Sequence, residues 1–382
     1  MVRPIYLDYH STTPLDPQVL EAMLPFFTEH FGNPASTTHA YGWEAEVAVK
    51  QARETIATAI NAEPETIIFT SGATEANNLA IKGVAEAYFS KGRHIITVQT
   101  EHNAVLDPCR YLETLGFEIT VLPVQPDGLL DLNLLDKAMR DDTVLVSIMA
   151  ANNEIGVLQP LAEIGQLCRD RQVLFHTDAA QAIGKIPLDV DAQKIDLLSI
   201  TAHKICGPKG IGALYIRRRN PRVNVAPQLH GGGHERGFRS GTLYTPQIVG
   251  LAKAIELGLA EMKTESQRLQ ELRDRLWQSL QALGGIDLNG HPTQRLPGNL
   301  NFSVGGVDGQ ALILALQPML AISSGSACTS AKIEPSHVLA ALGRSAPLAY
   351  ASVRIGLGRF TTDADVEIAT SQIIKTVQAL RR

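Results

Sequence analysis

Seven short apolar runs alternate with helical patterns between about Glu65 and Arg217, and nothing else in the chain limits its fold as tightly. The runs cover residues 67–70, 94–98, 118–122, 144–149, 173–177, 195–200 and 212–216. They are too short for core helices and mostly apolar throughout, as strands buried on both faces are. Helical patterns such as 73–87 and 161–171 lie between them. Strand–helix alternation of this kind predicts an α/β fold: a large domain with a mostly parallel seven-stranded sheet and helices on both faces. A long amphipathic helix over 40–60 precedes the sheet. A second, over 246–283, follows it and carries the charges of Glu261 to Arg268 on its outer face.

Beyond that helix the pattern changes. Short strands (299–304, 321–323, 351–355) mix with helices at 309–317 and 362–380, which predicts a smaller α+β domain joined by the N-terminal segment. The expected division is 15–255 for the large domain, and 1–14 with 256–382 for the small one. A chain of 382 residues, 45% hydrophobic, can bury a core in each. A net charge of −5 lacks the basic footprint of a nucleic-acid binder. The four cysteines (Cys109, Cys168, Cys206, Cys328) form no C-x-x-C pair, which suits a reducing compartment and disfavours a disulfide framework or a cysteine-based zinc site. The start, Met1 to Asp8, has no apolar signal core, and no run is long enough for a membrane span. The expectation is a cytoplasmic protein with no membrane, metal or direct nucleic-acid partner.

Candidate chemistry clusters where the predicted strands end, the edge at which open α/β sheets bind ligands. Phe69-Thr-Ser-Gly-Ala-Thr-Glu-Ala reads as strand, small-residue turn and helix start. Its free amides and helix dipole make a phosphate seat at Ala73 and Thr74, although Ser71 or Thr74 as a simple helix cap explains the pattern too. Asp178 and Gln181 follow one strand; Thr201, His203 and Lys204 follow the next. Alone, Lys204 reads as a solvated lysine and Asp178 as a strand-end cap. Together they are residues that one small ligand can touch. His102 follows the run ending at Val98, where a neutral imidazole can stack on a heteroaromatic ring or carry protons; a helix-capping role is the plainer alternative. Asn153 offers an amide. Arg354, in a strand with apolar neighbours, needs an anion: a substrate carboxylate or a structural ion-pair partner. Cys328 sits among Ser, Gly, Ala and Thr, which reads as a flexible loop with an accessible thiol. A lysine able to form a Schiff base, and an aspartate able to face a protonated pyridine nitrogen, are what pyridoxal 5'-phosphate (PLP) asks of a protein.

These residues sit in motifs that run from end to end: Tyr6-Leu-Asp, Thr12-Thr-Pro, Phe31-Gly-Asn-Pro-Ala-Ser, Thr70-Ser-Gly-Ala-Thr-Glu-Ala-Asn-Asn, Glu101-His, Asn152-Asn-Glu-Ile-Gly, Asp178-Ala-Ala-Gln, His203-Lys, Arg239-Ser-Gly-Thr, the stretch 323–330 and Arg354-Ile-Gly-Leu-Gly-Arg-Phe. In this order they resemble the PLP-dependent cysteine desulfurases of the NifS/IscS family, in the class-V aminotransferase superfamily. The resemblance implies PLP fold type I, with Lys204 bearing the cofactor. Asp178 would face the pyridine nitrogen, Gln181 the ring hydroxyl, and His102 would stack on the ring. Ala73, Thr74, Thr201 and His203 would hold the phosphate, with Thr242 reaching in from the other subunit of a homodimer. Asn153 and Arg354 would bind the substrate carboxylate, and Cys328 would accept sulfur. Two departures from the family's usual pattern stand out. His234-Glu-Arg-Gly-Phe-Arg replaces Gln-Glu-x-Gly-x-Arg, and Cys206 stands where Tyr is common.

The implied reaction converts L-cysteine to L-alanine and leaves a persulfide on Cys328 for an acceptor protein, such as an iron–sulfur scaffold, toward which Cys328 is a possible transient cluster ligand. The alternatives are another PLP-dependent C–S or C–Se lyase or aminotransferase, or a non-catalytic sulfur-transfer scaffold. Because the thiol would have to meet substrate inside and acceptor outside, the segment 323–335 is expected to move.

Overall fold

In this computed structural model, which describes residues 3–324, 326–327 and 334–382, the elements follow the expected alternation. First come β1 (Ile5–Tyr6), α1 (Pro17–Met23), α2 (Pro25–Thr28) and α3 (Ala40–Ala59). The alternating region supplies β2 (Ile67–Thr70), α4 (Ala73–Ala87), β3 (His94–Val98), α5 (Asn103–Glu113), β4 (Glu118–Leu122), α6 (Leu132–Ala138), β5 (Thr143–Ser147), α7 (Leu161–Asp170), β6 (Leu174–Asp178), β7 (Leu197–Thr201) and β8 (Gly212–Ile216). The remainder is α8 (Thr245–Gln281), β9 (Ile286–Leu288), β10 (Asn299–Val304), α9 (Gly309–Leu316), β11 (Leu320–Ala321), β12 (Ser323–Ser324), β13 (Ser326–Ala327), β14 (Glu334–Pro335), α10 (His337–Ala341), α11 (Ala346–Tyr350), β15 (Ser352–Gly356) and α12 (Asp363–Leu380).

The seven-stranded sheet has the order β2-β8-β7-β6-β5-β3-β4. Its β7, β6, β5, β3 and β4 pair in parallel. The one reversed strand is β8, antiparallel to both β2 and β7. Residues 202–211 alone link β7 to β8, too few for the crossover a parallel pair needs, so the chain turns straight back. Inner strands β3, β5, β6, β7 and β8 are buried along their whole length, while edge strand β4 is half open.

Successive strand residues point to opposite faces, and two apolar layers result. Ile67, Phe69, Ile96, Val146, Phe175 and Ile200 pack with Val49, Ile56, Ile164 and Leu251 from α3, α7 and α8. Ile68, Ile95, Leu145, Leu174, Leu197 and Leu214 pack with Leu79, Val84, Val105 and Leu112 from α4 and α5. A separate core surrounds the four-stranded sheet β12-β15-β10-β9 and joins Phe302, Val353 and Ile355 to Ile373 and Val377 of α12. The long α8 serves both: Ile248 and Ile255 lie in the large-sheet core, Leu272 and Leu276 in the smaller one.

Expected strand 321–323 is in fact two. Leu320–Ala321 pairs in parallel with β1, and Ser323–Ser324 pairs antiparallel with β15. Residues 8–13 run from the small sheet to the large one. Asp8 bridges to Gly356, and Thr13 N donates to His203 O at 3.0 Å. Among the described residues no helix is long and apolar enough to cross a membrane.

Candidate active site

Lys204 ends a single 3-10 turn, Ala202–Lys204, at the carboxyl end of β7. Its Nζ donates to the carbonyl oxygens of His10 and Ser11, at 2.5 and 2.6 Å. Burial, then the positive charges of Lys185 and Arg354, push its pKa down to about 7, against a smaller opposite pull from Asp8 and Asp178. Near neutral pH the amine is therefore partly unprotonated, the form that can attack a carbonyl carbon. His203 Nδ1 lies 3.2 Å from Thr12 Oγ1. Burial, with Lys204, Lys209 and Lys185, lowers His203 to about 4, so the ring is neutral.

At the end of β6, the Asp178 carboxylate accepts from Asn77 Nδ2 (2.6 Å) and from the Ala180 amide (2.9 Å). Gln181 is buried in the turn that follows. His102 caps α5: its Nδ1 accepts from the Ala104 amide at 3.0 Å, so Nε2 carries the proton of the neutral ring. The tandem asparagines divide their work. Asn152 holds the loop through Thr100 O and the amides of Glu154 and Ile155, while Asn153 Oδ1 is buried without a partner among the described residues. Arg354 donates to Asn153 O (2.9 Å), Asp8 Oδ1 (2.8 Å) and Ser323 Oγ (2.8 Å), with Nε unpaired among the described residues. The ion-pair alternative for Arg354 is thus real, and it does not empty the guanidinium of donors.

A cavity of about 600 Å³ joins these groups. Ala73, Thr74, His102, Asn153, Asp178, Gln181, Thr201, His203, Lys204 and Arg354 all line it. Thr242 is exposed and is not part of the lining in this chain. Cys328, and the expected motion of its segment, lie outside the described residues. Both departures from the family's pattern have local explanations. Glu235 is buried against Arg53 (2.6 Å) and accepts from Phe69 N, Arg239 grips Glu75, Phe238 lies under Arg218, and His234 Nδ1 accepts from Gly241 N. Cys206 is buried at φ 61° with its amide on Thr13 Oγ1. Sequence reasoning missed Asp8, His10, Asn77 and Lys185, which meet the site through partners 101 to 346 positions away along the chain in three of the four cases. No local pattern marked their roles, although Asp8 and Asn77 stood inside quoted motifs.

The aminotransferase class-V family model matches residues 5–368. The cysteine desulfurase IscS of a Neisseria meningitidis serogroup C strain is 56% identical over 99% of this chain and 93% of that protein. Mouse cysteine desulfurase is 55% identical over 100% of this chain and 83% of that protein. Among solved structures, a NifS-like protein superposes with a TM-score of 0.92 at 37% identity, covering 99% of this chain and 100% of that one. SspA in complex with cysteine gives 0.83 at 38% identity, covering 94% and 99%.

The chain belongs to the class-V aminotransferase family, among its cysteine desulfurases. It is a PLP-dependent enzyme. Its residues fit that cofactor on their own evidence. Helix α4 begins at Gly72, φ 153°, with no side-chain cap, so its first amides are free for a phosphate beside Thr74, Thr201 and His203. Asp178, held by two donors, is an acceptor for a protonated ring nitrogen. Lys204 presents a neutral-range amine between that carboxylate and Arg354.

Proposed function

We propose that this desulfurase takes L-cysteine, releases L-alanine, and holds the sulfur as a persulfide on Cys328 before passing it to an acceptor protein, an iron–sulfur scaffold or another thiol carrier. The observation that carries this reading is the register of β12 on β15. Ser323 lies opposite Arg354 and accepts from its guanidinium at 2.8 Å. The chain leading to Cys328 thus departs from the cavity that holds Lys204. Five residues on from Ser323 stands Cys328, a tether of roughly 17 Å at ~3.4 Å per residue.

When bound, PLP supplies an electron sink for the substrate's Cα and Cβ. Asp178 would keep the ring nitrogen protonated, and Gln181 would donate to the ring oxygen. Arg354, with Asn153, holds the substrate carboxylate. Lys204, near neutral pH, takes the Cα proton and returns one to carbon, with His102 Nε2 a second carrier. The Cys328 thiolate attacks the substrate sulfur. The Cβ–S bond breaks with its pair on carbon, an S–S bond forms on Cys328, and protonation of carbon completes alanine.

A homodimer completes the phosphate site in this reading. Thr242 stands exposed two positions before Tyr244, and Tyr244 joins Phe27, Phe31, Tyr41 and Trp43 as exposed aromatics, an apolar surface of the kind that marks an interface. The cytoplasm is the compartment we propose, since Cys109, Cys168 and Cys206 are free thiols. The deciding assay compares wild type with Cys328→Ala, supplied with L-cysteine and a reductant. Alanine and sulfide from the wild type, and no persulfide on the variant, are expected. Equal persulfide on both proteins would sink the assignment of Cys328.

A further inference from the structure

Four residues beyond Gln181 stands Lys185, whose Nζ donates to Gln181 Oε1 at 3.0 Å. Among the described residues this amide oxygen is the one hydrogen-bond partner recorded for it, and no carboxylate lies within ion-pair distance. Lys185 also lines a neighbouring cavity of about 100 Å³ whose two acids are already committed, Glu261 to Arg359 at 3.0 Å and Glu265 to Arg268 at 2.7 Å. Lys185 is partly buried, and an ammonium drawn partly out of water without an anion is costly to keep.

Its placement has a consequence for Gln181. Oε1 receives Lys185 Nζ and faces His10 Nδ1 at 3.2 Å, while Nε2 donates to His10 O at 2.8 Å. An ammonium can only donate, so the oxygen must be the end that meets Lys185. The amide nitrogen is then the end that donates to His10 O, a residue lining the same larger cavity, with one N–H unspent. The same argument makes Nδ1 the protonated nitrogen of neutral His10.

We propose that Lys185 is a positioning residue of the cofactor site: it locks the Gln181 carboxamide with nitrogen toward the cavity and stations a second positive charge behind Lys204. The first half rests on the reading of Gln181 as the partner of the PLP ring oxygen; the second does not. A donor held on Oε1 polarises the amide and strengthens its N–H toward a ring oxygen. The cation also disfavours a second proton nearby. Groups facing Lys185 are His10, His203, Lys204 and Cys206, and its charge pulls all four down, although burial leaves the Cys206 thiol raised. Lys185 itself falls to about 8, through burial, and is still mainly cationic at neutral pH.

The test is pulsed acetylation of the cofactor-free protein across a pH series, with Lys204 modification read by peptide mass spectrometry. Wild type should show half-reactivity near about 7. Lys185→Met should move that midpoint up by about one pH unit, Lys185→Gln should do the same, and Lys185→Arg, which keeps the charge, should not. Loss of packing alone has no reason to shift a single amine's titration upward. In the loaded enzyme the pH midpoint of the visible cofactor band should rise in the Met variant as well. An unmoved Lys204 midpoint in both uncharged variants overturns the proposal. A moved midpoint with an unmoved cofactor band upholds the charge effect and overturns the amide lock. Failure of wild type to bind PLP would strike the cofactor reading instead, and the acetylation result would stand apart from it.

Discussion

Lys204 and Arg354 are cations in one cavity with opposite obligations. One has to lose its proton; the other has to keep a charge for a carboxylate. Burial and neighbouring cations bring Lys204 to about 7, whereas Arg354 is braced by Asp8 and Ser323. Lys204→Ala should therefore abolish the visible cofactor band of purified protein; an unchanged band would move the attachment to Lys209, which lines the same cavity. Arg354→Ala should leave PLP bound and raise the KM for cysteine steeply. Removing one partner of a buried charged hydrogen bond costs roughly 2–5 kcal/mol. A KM equal to wild type would make the Asp8 ion pair the whole purpose of Arg354. Asp8→Asn separates the two, because it removes the structural partner and leaves the guanidinium in place.

At the scale of elements, the turn between β2 and α4 is held open by glycine on both sides. A Cβ at Gly212 would fall 2.4 Å from Ile200 O and 2.7 Å from Gly72 Cα, both backbone atoms that cannot swing aside. Gly212→Ala should shift the Gly72 turn and weaken PLP binding tenfold or more, about 1.4 kcal/mol, measured by titrating cofactor-free protein. Undiminished affinity would mean the turn does not seat the phosphate. The elements most legible in the sequence were the buried strands. Ile67–Thr70 or Gly212–Ile216 is apolar on both faces, and the packing that buries it follows from composition alone. Less legible were elements decided by distant partners. Ile322 separates two strands that belong to different sheets, which nothing local signals. Helix α5 carries Pro108 inside it and is capped by His102, the plainer of the two readings offered for that histidine. The strand-end residues were found because topology brings strand ends together. Lys185 escaped because an amphipathic reading gives a lysine to solvent, while here it turns inward to an amide. The single α8 spans both cores, so the expected boundary at 255 falls inside a helix.

For the whole molecule, association and acid stability are the two properties that the described residues bear on. Tyr244→Asp together with Phe27→Asp, a pair whose rings sit 6.3 Å apart at the surface, should dissociate the homodimer in sedimentation velocity and weaken PLP binding with it. Dissociation without any loss of PLP would separate Thr242 from the phosphate. Acid stability turns on histidines kept neutral by burial. His176 lies between Ser147 and Ser199 at 2.8 and 3.0 Å, and burial lowers it to about 3; His203 sits at about 4 and His10 well below its usual value. In each, the folded pKa is below the unfolded one near 6.5, so the unfolded chain binds more protons as pH falls. Stability is complete above about 6.5 and declines beneath it, toward 4 for His203 and toward 3 for His176. One fully buried histidine contributes a slope of about 1.4 kcal/mol per pH unit, and the half-exposed His203 less. Glu101 works the other way. Burial holds its carboxyl well above the usual range, so protonation on the way down favours the folded state. Glu101 acts from its raised folded value down to the ordinary carboxylate range and so opposes the histidines over part of the same interval. With three such rings against one carboxyl, a urea-melt series on cofactor-free protein should still show stability falling between pH 6.5 and 5. His203→Gln should make that fall shallower. A flat profile over the interval would mean that these rings take up protons in place, and the buried ladder from Ser147 through His176 to Ser199 would have to admit a charge.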